Sequence, residues 1–155
     1  AERRLSVAAG QLLMIRRLLL SLCCALWLSA CVTPAGAPDP LYNELGGEAG
    51  LTRIVEGMLL NVARDPRIAE RFRDANIERV RDKLVEQFCV IAGGPCTYTG
   101  DSMPEVHRGL DISPSEFNAL VEDLIKAMDS EGIAVPVQNR LIARLAKLRG
   151  QVIRQ

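Results

Sequence analysis

The chain has a single histidine, His107, and this side chain offers the clearest prospect of chemistry. It lies in residues 103–110, shortly after a loop rich in Gly, Pro and Thr. Neutral imidazole is the commonest protein ligand for transition metals and a common axial ligand of haem iron. A lone histidine can equally be a structural residue that makes one hydrogen bond. The rest of the sequence must decide between these two roles.

Two cysteines, Cys89 and Cys96, form a second candidate group. The other three cysteines of the chain all precede residue 32. Two cysteines alone make a poor metal site, because structural zinc usually takes four protein ligands. In an oxidising compartment the pair could form a disulfide that closes a short loop. The alternative is two free, buried thiols, and the sequence leaves both possibilities open.

Residues 14–31 have the composition of a bacterial export signal. Two arginines, Arg16 and Arg17, precede an apolar run that is too short to span a membrane comfortably. Residues 28–31, Leu-Ser-Ala-Cys, resemble the lipobox of bacterial lipoproteins. That resemblance implies cleavage before Cys31 and attachment of lipid to it. The alternative is an ordinary signal peptide whose cysteine is incidental.

This interpretation divides the chain into three parts. Residues 1–30 are expected to be removed, and residues 1–13 fit no part of a signal, which suggests a misassigned start. Residues 31–40 form a tether rich in Pro, Gly and Ala, and residues 41–155 form the folded domain. Val32, rather than Asp, follows Cys31. By resemblance to lipoproteins, this favours a periplasm-facing anchor in the outer membrane.

The charge balance of the exported part argues against a nucleic-acid partner. Residues 1–30 hold four basic and one acidic residue, so the remainder has a net charge near −3. A nucleic-acid-binding domain would instead present a basic surface. About 115 residues are enough for one domain with one hydrophobic core.

Beyond residue 40 the apolar residues repeat at helical spacing, and this predicts an all-α domain. A short helix is expected at 41–45, a longer one through 51–62, and another at 76–92 that ends at Gly93-Gly94-Pro95. Asp65-Pro66 predicts an N-cap and first turn of a short helix that ends at Phe72.

Helices are also predicted on either side of residue 110. The His107 segment has room for two or three turns before Gly109. Ser113 and Glu116 form a capping-box pattern that opens a helix ending at Gly132. The last helix is predicted from Pro136 through Val152.

The order of these signals resembles a group I truncated haemoglobin, the small two-over-two globin. The matching pieces are Leu-Tyr-Asn-Glu-Leu-Gly-Gly at 41–47, Asp65-Pro66 leading to Phe72, Gly-Gly-Pro at 93–95 followed by Tyr-Thr-Gly at 98–100, and residues 103–107. The resemblance covers nearly all of residues 41–153. It implies a two-over-two helical sandwich that encloses haem b, with a diatomic gas bound at the haem.

The resemblance also implies roles for individual residues. His107 becomes the proximal iron ligand, and its second ring nitrogen should donate to a nearby backbone carbonyl. Phe72 is expected to pack on the porphyrin face, with Tyr98 and Met103 near the haem edge. Phe88 keeps the family's aromatic residue further along the distal helix.

The distal side departs from the pattern of oxygen-handling members of this family. Where those members have a tyrosine and a glutamine or similar polar residue, this chain has Leu59, Val80 and Leu84. These three residues predict a pocket without a hydrogen-bond donor, a five-coordinate ferrous haem and weak O₂ binding. A donor to a bound, partly anionic O₂ contributes about 1.5–3 kcal/mol, so its loss should shift preference toward CO and NO. Met58 could provide a sixth ligand, although its neighbours place it in the core.

Basic side chains near these positions are candidates for pairing with haem propionates. They are Arg79, Arg81, Lys83 and Arg108. Each could equally be part of a solvated helix face.

The sequence leaves two functions of different classes open. The first is a haem protein for transport, sensing or detoxification of O₂, CO or NO. An enzyme that carries out NO dioxygenation or peroxide turnover would use the same site, with an electron donor that the sequence does not identify. An apolar distal side argues against efficient peroxide cleavage. The second is a cofactor-free globin-like lipoprotein that acts as an interaction module.

Overall fold

Six α-helices and two 3₁₀ segments make up the part of the chain that the computed structural model describes, residues 39–155. The α-helices are α1 (Pro40–Glu44), α2 (Gly47–Val62), α3 (Ile77–Ala92), α4 (Met103–Val106), α5 (Pro114–Ser130) and α6 (Val135–Leu145). The 3₁₀ segments are Ala69–Phe72 and Ala146–Gln151. The predicted export signal, Cys31 and most of the predicted tether lie outside the described residues.

Local sequence signals determine the ends of the long helices. The Asn76 side chain accepts the backbone N–H of Arg79 at 3.0 Å and caps the start of α3. Gly93 ends α3 with φ at +80°, a conformation that favours glycine. At the start of α5, Ser113 and Glu116 make both hydrogen bonds of a capping box. The all-α prediction and these boundaries are confirmed.

Three predicted helices are shorter or tighter than expected. The helix predicted from Pro66 begins only at Ala69, because Asp65 Oδ1 accepts the N–H of Arg67 at 2.9 Å and holds a turn there. The His107 segment forms one helical turn, α4, rather than two or three. The last helix is α-helical only to residue 145 and then tightens into the 3₁₀ segment.

The hydrophobic core lies where α2 packs against α3 and α5. The helix α6 also packs against α3. Side chains at helical spacing fill the core: Leu51, Ile54, Val55 and Met58 from α2, Phe88 from α3, Leu124 and Met128 from α5, and Leu141 from α6. Met58 is 1% exposed, as expected for a core residue. Among the described residues, no helix is long and apolar enough to cross a bilayer.

A disulfide joins the end of α3 to the loop that follows it. Cys89 and Cys96 are bonded, with their Cα atoms 5.9 Å apart. Cys89 is fully buried, so the bond attaches the loop to the core. The loop leads to α4 and therefore to His107.

Candidate functional site

A cavity of about 370 Å³ lies between α3, α4 and the first half of α5. Its volume is within the range of ligand and cofactor pockets. The cavity brings together six of the eight residues that the resemblance assigns to the cofactor: Phe72, Val80, Leu84, Tyr98, Met103 and His107. They come from the first 3₁₀ segment, α3, the following loop and α4.

The other two predicted residues do not line the cavity. Leu59, in α2, is partly buried against the core, and Phe88 is 4% exposed within it. Helix geometry explains the position of Phe88. Successive residues turn by about 100°, so Phe88 points roughly 80° away from Val80, whereas Gln87 lies within about 20° of it.

Gln87 is one of the cavity residues that the sequence did not identify. It lines the cavity together with Val80 and Leu84 from the same face of α3. Its Nε2 atom lies 3.0 Å from Met103 Sδ and donates to it. The spacing i, i+4, i+7 could have identified this residue. The α3 wall therefore contains one polar amide, in contrast to the fully apolar surface predicted from Leu59, Val80 and Leu84.

The His107 imidazole is oriented by a backbone carbonyl. His107 ends α4 as its C-cap residue, and its Nδ1 lies 2.8 Å from the carbonyl oxygen of Met103. A carbonyl only accepts, so Nδ1 carries the proton in this hydrogen bond. In the neutral ring, Nε2 then has the free electron pair that a metal requires.

Contacts on both sides hold the short segment around His107. Ser102 and Glu105 form a capping box, and the Ser102 hydrogen bonds lower the pKa of the Glu105 carboxyl. Gly109, with φ at +78°, donates its N–H to the carbonyl of Gln155 at 3.0 Å. A one-turn helix has little stability of its own. Its position therefore depends on these contacts.

Tyr98 reaches the cavity from the disulfide-linked loop. Its hydroxyl donates to the carbonyl of Asp101 at 2.9 Å. Burial raises the pKa of the Tyr98 phenol, so the group is neutral at physiological pH. The hydrogen bond orients the ring toward the cavity wall.

Two of the four basic residues proposed to meet propionates line the cavity, Arg79 and Lys83. Arg79 has only a long, exposed ion pair with Asp101, at 3.8 Å. Lys83 is more constrained, because its Nζ bonds Glu86 at 2.7 Å and Thr99 at 2.5 Å. The Lys83 ammonium and the Thr99 N–H hold the pKa of the Glu86 carboxyl at about 2.

The remaining basic candidates lie elsewhere, and a different arginine takes part in the site. Arg81 pairs with Glu56 and Asp82, and neither Arg81 nor the exposed Arg108 lines the cavity. Arg71 lines it instead.

Arg71 connects three parts of the cavity wall. Its Nε bonds Glu116 at 2.6 Å, and its Nη1 donates to the Leu110 carbonyl at 3.0 Å. The Arg71 guanidinium and the capping serine hold the pKa of Glu116 at about 2. Arg71 therefore links the first 3₁₀ segment, which includes Phe72, to α5 through the ion pair with Glu116. Its hydrogen bond to Leu110 links the same segment to the loop after His107.

The chemistry of the cavity suits one kind of group. Its walls are mainly apolar, one imidazole can coordinate a metal, and basic side chains lie among its lining residues. An apolar molecule with anionic substituents and a metal centre matches all three features.

Comparisons with known proteins agree with this description. The family profile described as bacterial-like globin matches residues 40–154. A group 1 truncated hemoglobin of Mycolicibacterium paratuberculosis is 29% identical over 115 residues, which is 74% of this chain and 85% of that protein. A group 1 truncated hemoglobin of Nostoc sp. is 26% identical over 113 residues, 73% of this chain and 96% of that protein.

Solved structures show the same fold. The truncated hemoglobin of Tetrahymena pyriformis in its Fe(III) form superposes with a TM-score of 0.72 at 23% sequence identity. The match covers 74% of this chain and 98% of that one. A group II truncated hemoglobin of Bacillus anthracis gives a TM-score of 0.67 at 22% identity, over 76% of this chain and 93% of that one.

Proposed function

We propose that this chain, which belongs to the bacterial-like globin family and has its two-over-two all-α fold, binds haem b through His107 and a diatomic gas at the haem iron. When bound, the haem supplies an iron atom at which O₂, CO or NO can coordinate. The observation that carries the proposal is the His107 hydrogen bond to Met103 within an apolar cavity.

The residues of the chain have distinct tasks in this proposal. His107 Nε2 coordinates the iron, while its Nδ1–H stays on the Met103 carbonyl. Phe72 and the other apolar lining side chains exclude water from the porphyrin faces. Arg79 and Lys83 are positioned to pair with the propionates.

Absorption spectroscopy tests the haem assignment. Purified residues 39–155 with added hemin should show a Soret band that His107→Gly weakens and that free imidazole restores. Arg108→Gly is a matched control, because Arg108 is adjacent and exposed and does not line the cavity. A wild-type domain that refuses hemin would refute the proposal and favour the cofactor-free interaction module.

The distal wall supports a further part of the proposal, weak or rapidly reversible O₂ binding at a five-coordinate ferrous haem. Val80 and Leu84 present only hydrocarbon to the cavity, and the Gln87 amide on the same face of α3 donates to Met103 Sδ. Met58 is buried in the core and does not line the cavity, so it is a poor candidate for a sixth ligand. A ferrous spectrum with two axial side chains would contradict this coordination.

The N-terminal residues support a proposal about location: export, lipid attachment at Cys31 and a periplasm-facing position in the outer membrane. The support is the signal-like sequence of residues 14–31 and Val32 after the cysteine. In a bacterial host, metabolic labelling with palmitate should mark the wild-type chain but not Cys31→Ser. Membrane fractionation should place the labelled chain in the outer membrane, and label in the inner membrane would overturn that assignment.

A further inference from the structure

We propose that Gln87 is a positioning residue for the proximal imidazole and that it acts through Met103. This inference rests on the proposed haem function, because its importance depends on His107 coordinating iron. The contacts that support it belong to the protein itself and can be tested before any cofactor is added.

Met103 receives hydrogen bonds from two directions. Its Sδ accepts from Gln87 Nε2 at 3.0 Å, and its backbone carbonyl accepts from His107 Nδ1 at 2.8 Å. All three residues line the same cavity. A continuous chain of contacts therefore runs from α3, which forms the distal wall, to the imidazole of His107.

The two ends of this chain differ in rigidity. Gln87 belongs to a 16-residue helix, and its next two neighbours, Phe88 and Cys89, are buried in the core. Met103 is the first residue of a helix of four residues whose last two, Glu105 and Val106, are exposed. The contact between Gln87 and Met103 thus connects the less stable element to the more stable one.

The position of Met103 matters because its carbonyl selects the tautomer of His107. With Nδ1–H held on that carbonyl, Nε2 remains free for iron, and the hydrogen bond raises the basicity of the ligand. A thioether is a weak acceptor, so the Gln87 contact adds little stability. Its expected effect is to limit the positions of Met103 and of its carbonyl, which also accepts the backbone N–H of His107 at 3.2 Å.

The test exploits the fact that the chain has one histidine. In cofactor-free protein labelled with ¹⁵N-histidine, the two ring nitrogens of His107 give an unambiguous signal, and their chemical shifts report the tautomer of the neutral ring. The wild type should favour Nδ1–H. Gln87→Met removes the donor but keeps a similar length, and it should shift the ring toward a mixture of tautomers.

A double-mutant cycle separates this coupling from general packing. Met103→Leu removes the sulfur and should produce the same shift, and the double variant should add nothing to it. Gln151→Met repeats the substitution at an exposed residue outside the cavity and should leave the ring unchanged. Should Gln87→Met fail to fold, Met103→Leu still tests the contact.

With haem bound, the Fe–histidine stretching band of the ferrous protein provides a second readout. A looser Nδ1–H hydrogen bond makes the imidazole a weaker ligand, so Gln87→Met should move this band to lower frequency and broaden it. Unchanged ring shifts and an unchanged band, in a protein that binds hemin through His107, would overturn the role of Gln87 alone. A wild-type protein that binds no hemin would instead overturn the proposed function.

Discussion

Replacing Leu84 with glutamine should slow the release of O₂ from the haem-loaded protein. Leu84 lies half-buried on the cavity wall, four residues after Val80 on the same face of α3. A glutamine there would add an amide donor at a position that now has a hydrocarbon side chain, three residues before Gln87. Hydrogen bonds to charged acceptors contribute about 1.5–3 kcal/mol, which corresponds to a roughly ten- to hundredfold change in the equilibrium. Most of that change should appear in the dissociation rate.

Stopped-flow displacement of O₂ by CO measures this rate directly. Leu84→Met is the matched control, because it changes the shape of the wall without adding a donor. CO carries less negative charge than O₂ when bound, so its own release should change far less in the glutamine variant. Equal effects of both substitutions, or an unchanged O₂ rate with glutamine, would mean that this face of α3 is not the distal surface.

Three further outcomes concern stability. Reducing the disulfide between Cys89 and Cys96, which are seven residues apart, should lower the free energy of unfolding by about 2–3 kcal/mol and the Tm by roughly 10 °C in calorimetry. An unchanged Tm would contradict this. Phe88→Ala should lower the free energy of unfolding in urea by about 3–5 kcal/mol, because Phe88 is only 4% exposed. The affinity for hemin should stay nearly unchanged, and a large loss of affinity would place Phe88 in the site. The pKa of Glu86 is lowered from 4.5 to about 2. The ionised Glu86 carboxylate therefore makes its full contribution to the free energy of unfolding above about pH 4.5, and that contribution is lost as the pH falls toward 2. Unfolding at several pH values should therefore show a shallower loss for Glu86→Gln than for the wild type, and parallel curves would refute the ion pair.

Much of the fold could be predicted from the sequence because its signals are local. Asn76 caps α3 with its own side chain, Gly93 ends it, and Ser113 with Glu116 opens α5. Each of these interactions joins residues no more than four apart. The apolar spacing of α2 and α5 likewise predicts which faces meet in the core.

The candidate site was predictable only in part. The sequence identified His107 and the position of Phe72, but it placed Phe88 rather than Gln87 on the cavity wall. The apolar face of a helix is wide enough to contact both the core and a cavity. Which of its residues faces the core and which faces the cavity depends on the rotation of α3 about its axis. The packing of α2 against α3 sets that rotation.

The sequence by itself determined a set of helices, one possible imidazole ligand and a hydrocarbon side chain at Val80 and Leu84. Only the tertiary structure decided that Gln87 reaches Met103, that Arg71 joins Glu116 to the Leu110 carbonyl, and that Cys89 pairs with Cys96. The helices and the residue types depend on neighbours along the chain or on the sequence alone. The three tertiary contacts depend on atoms that meet only once the helices have packed, at distances and angles that helical periodicity does not specify.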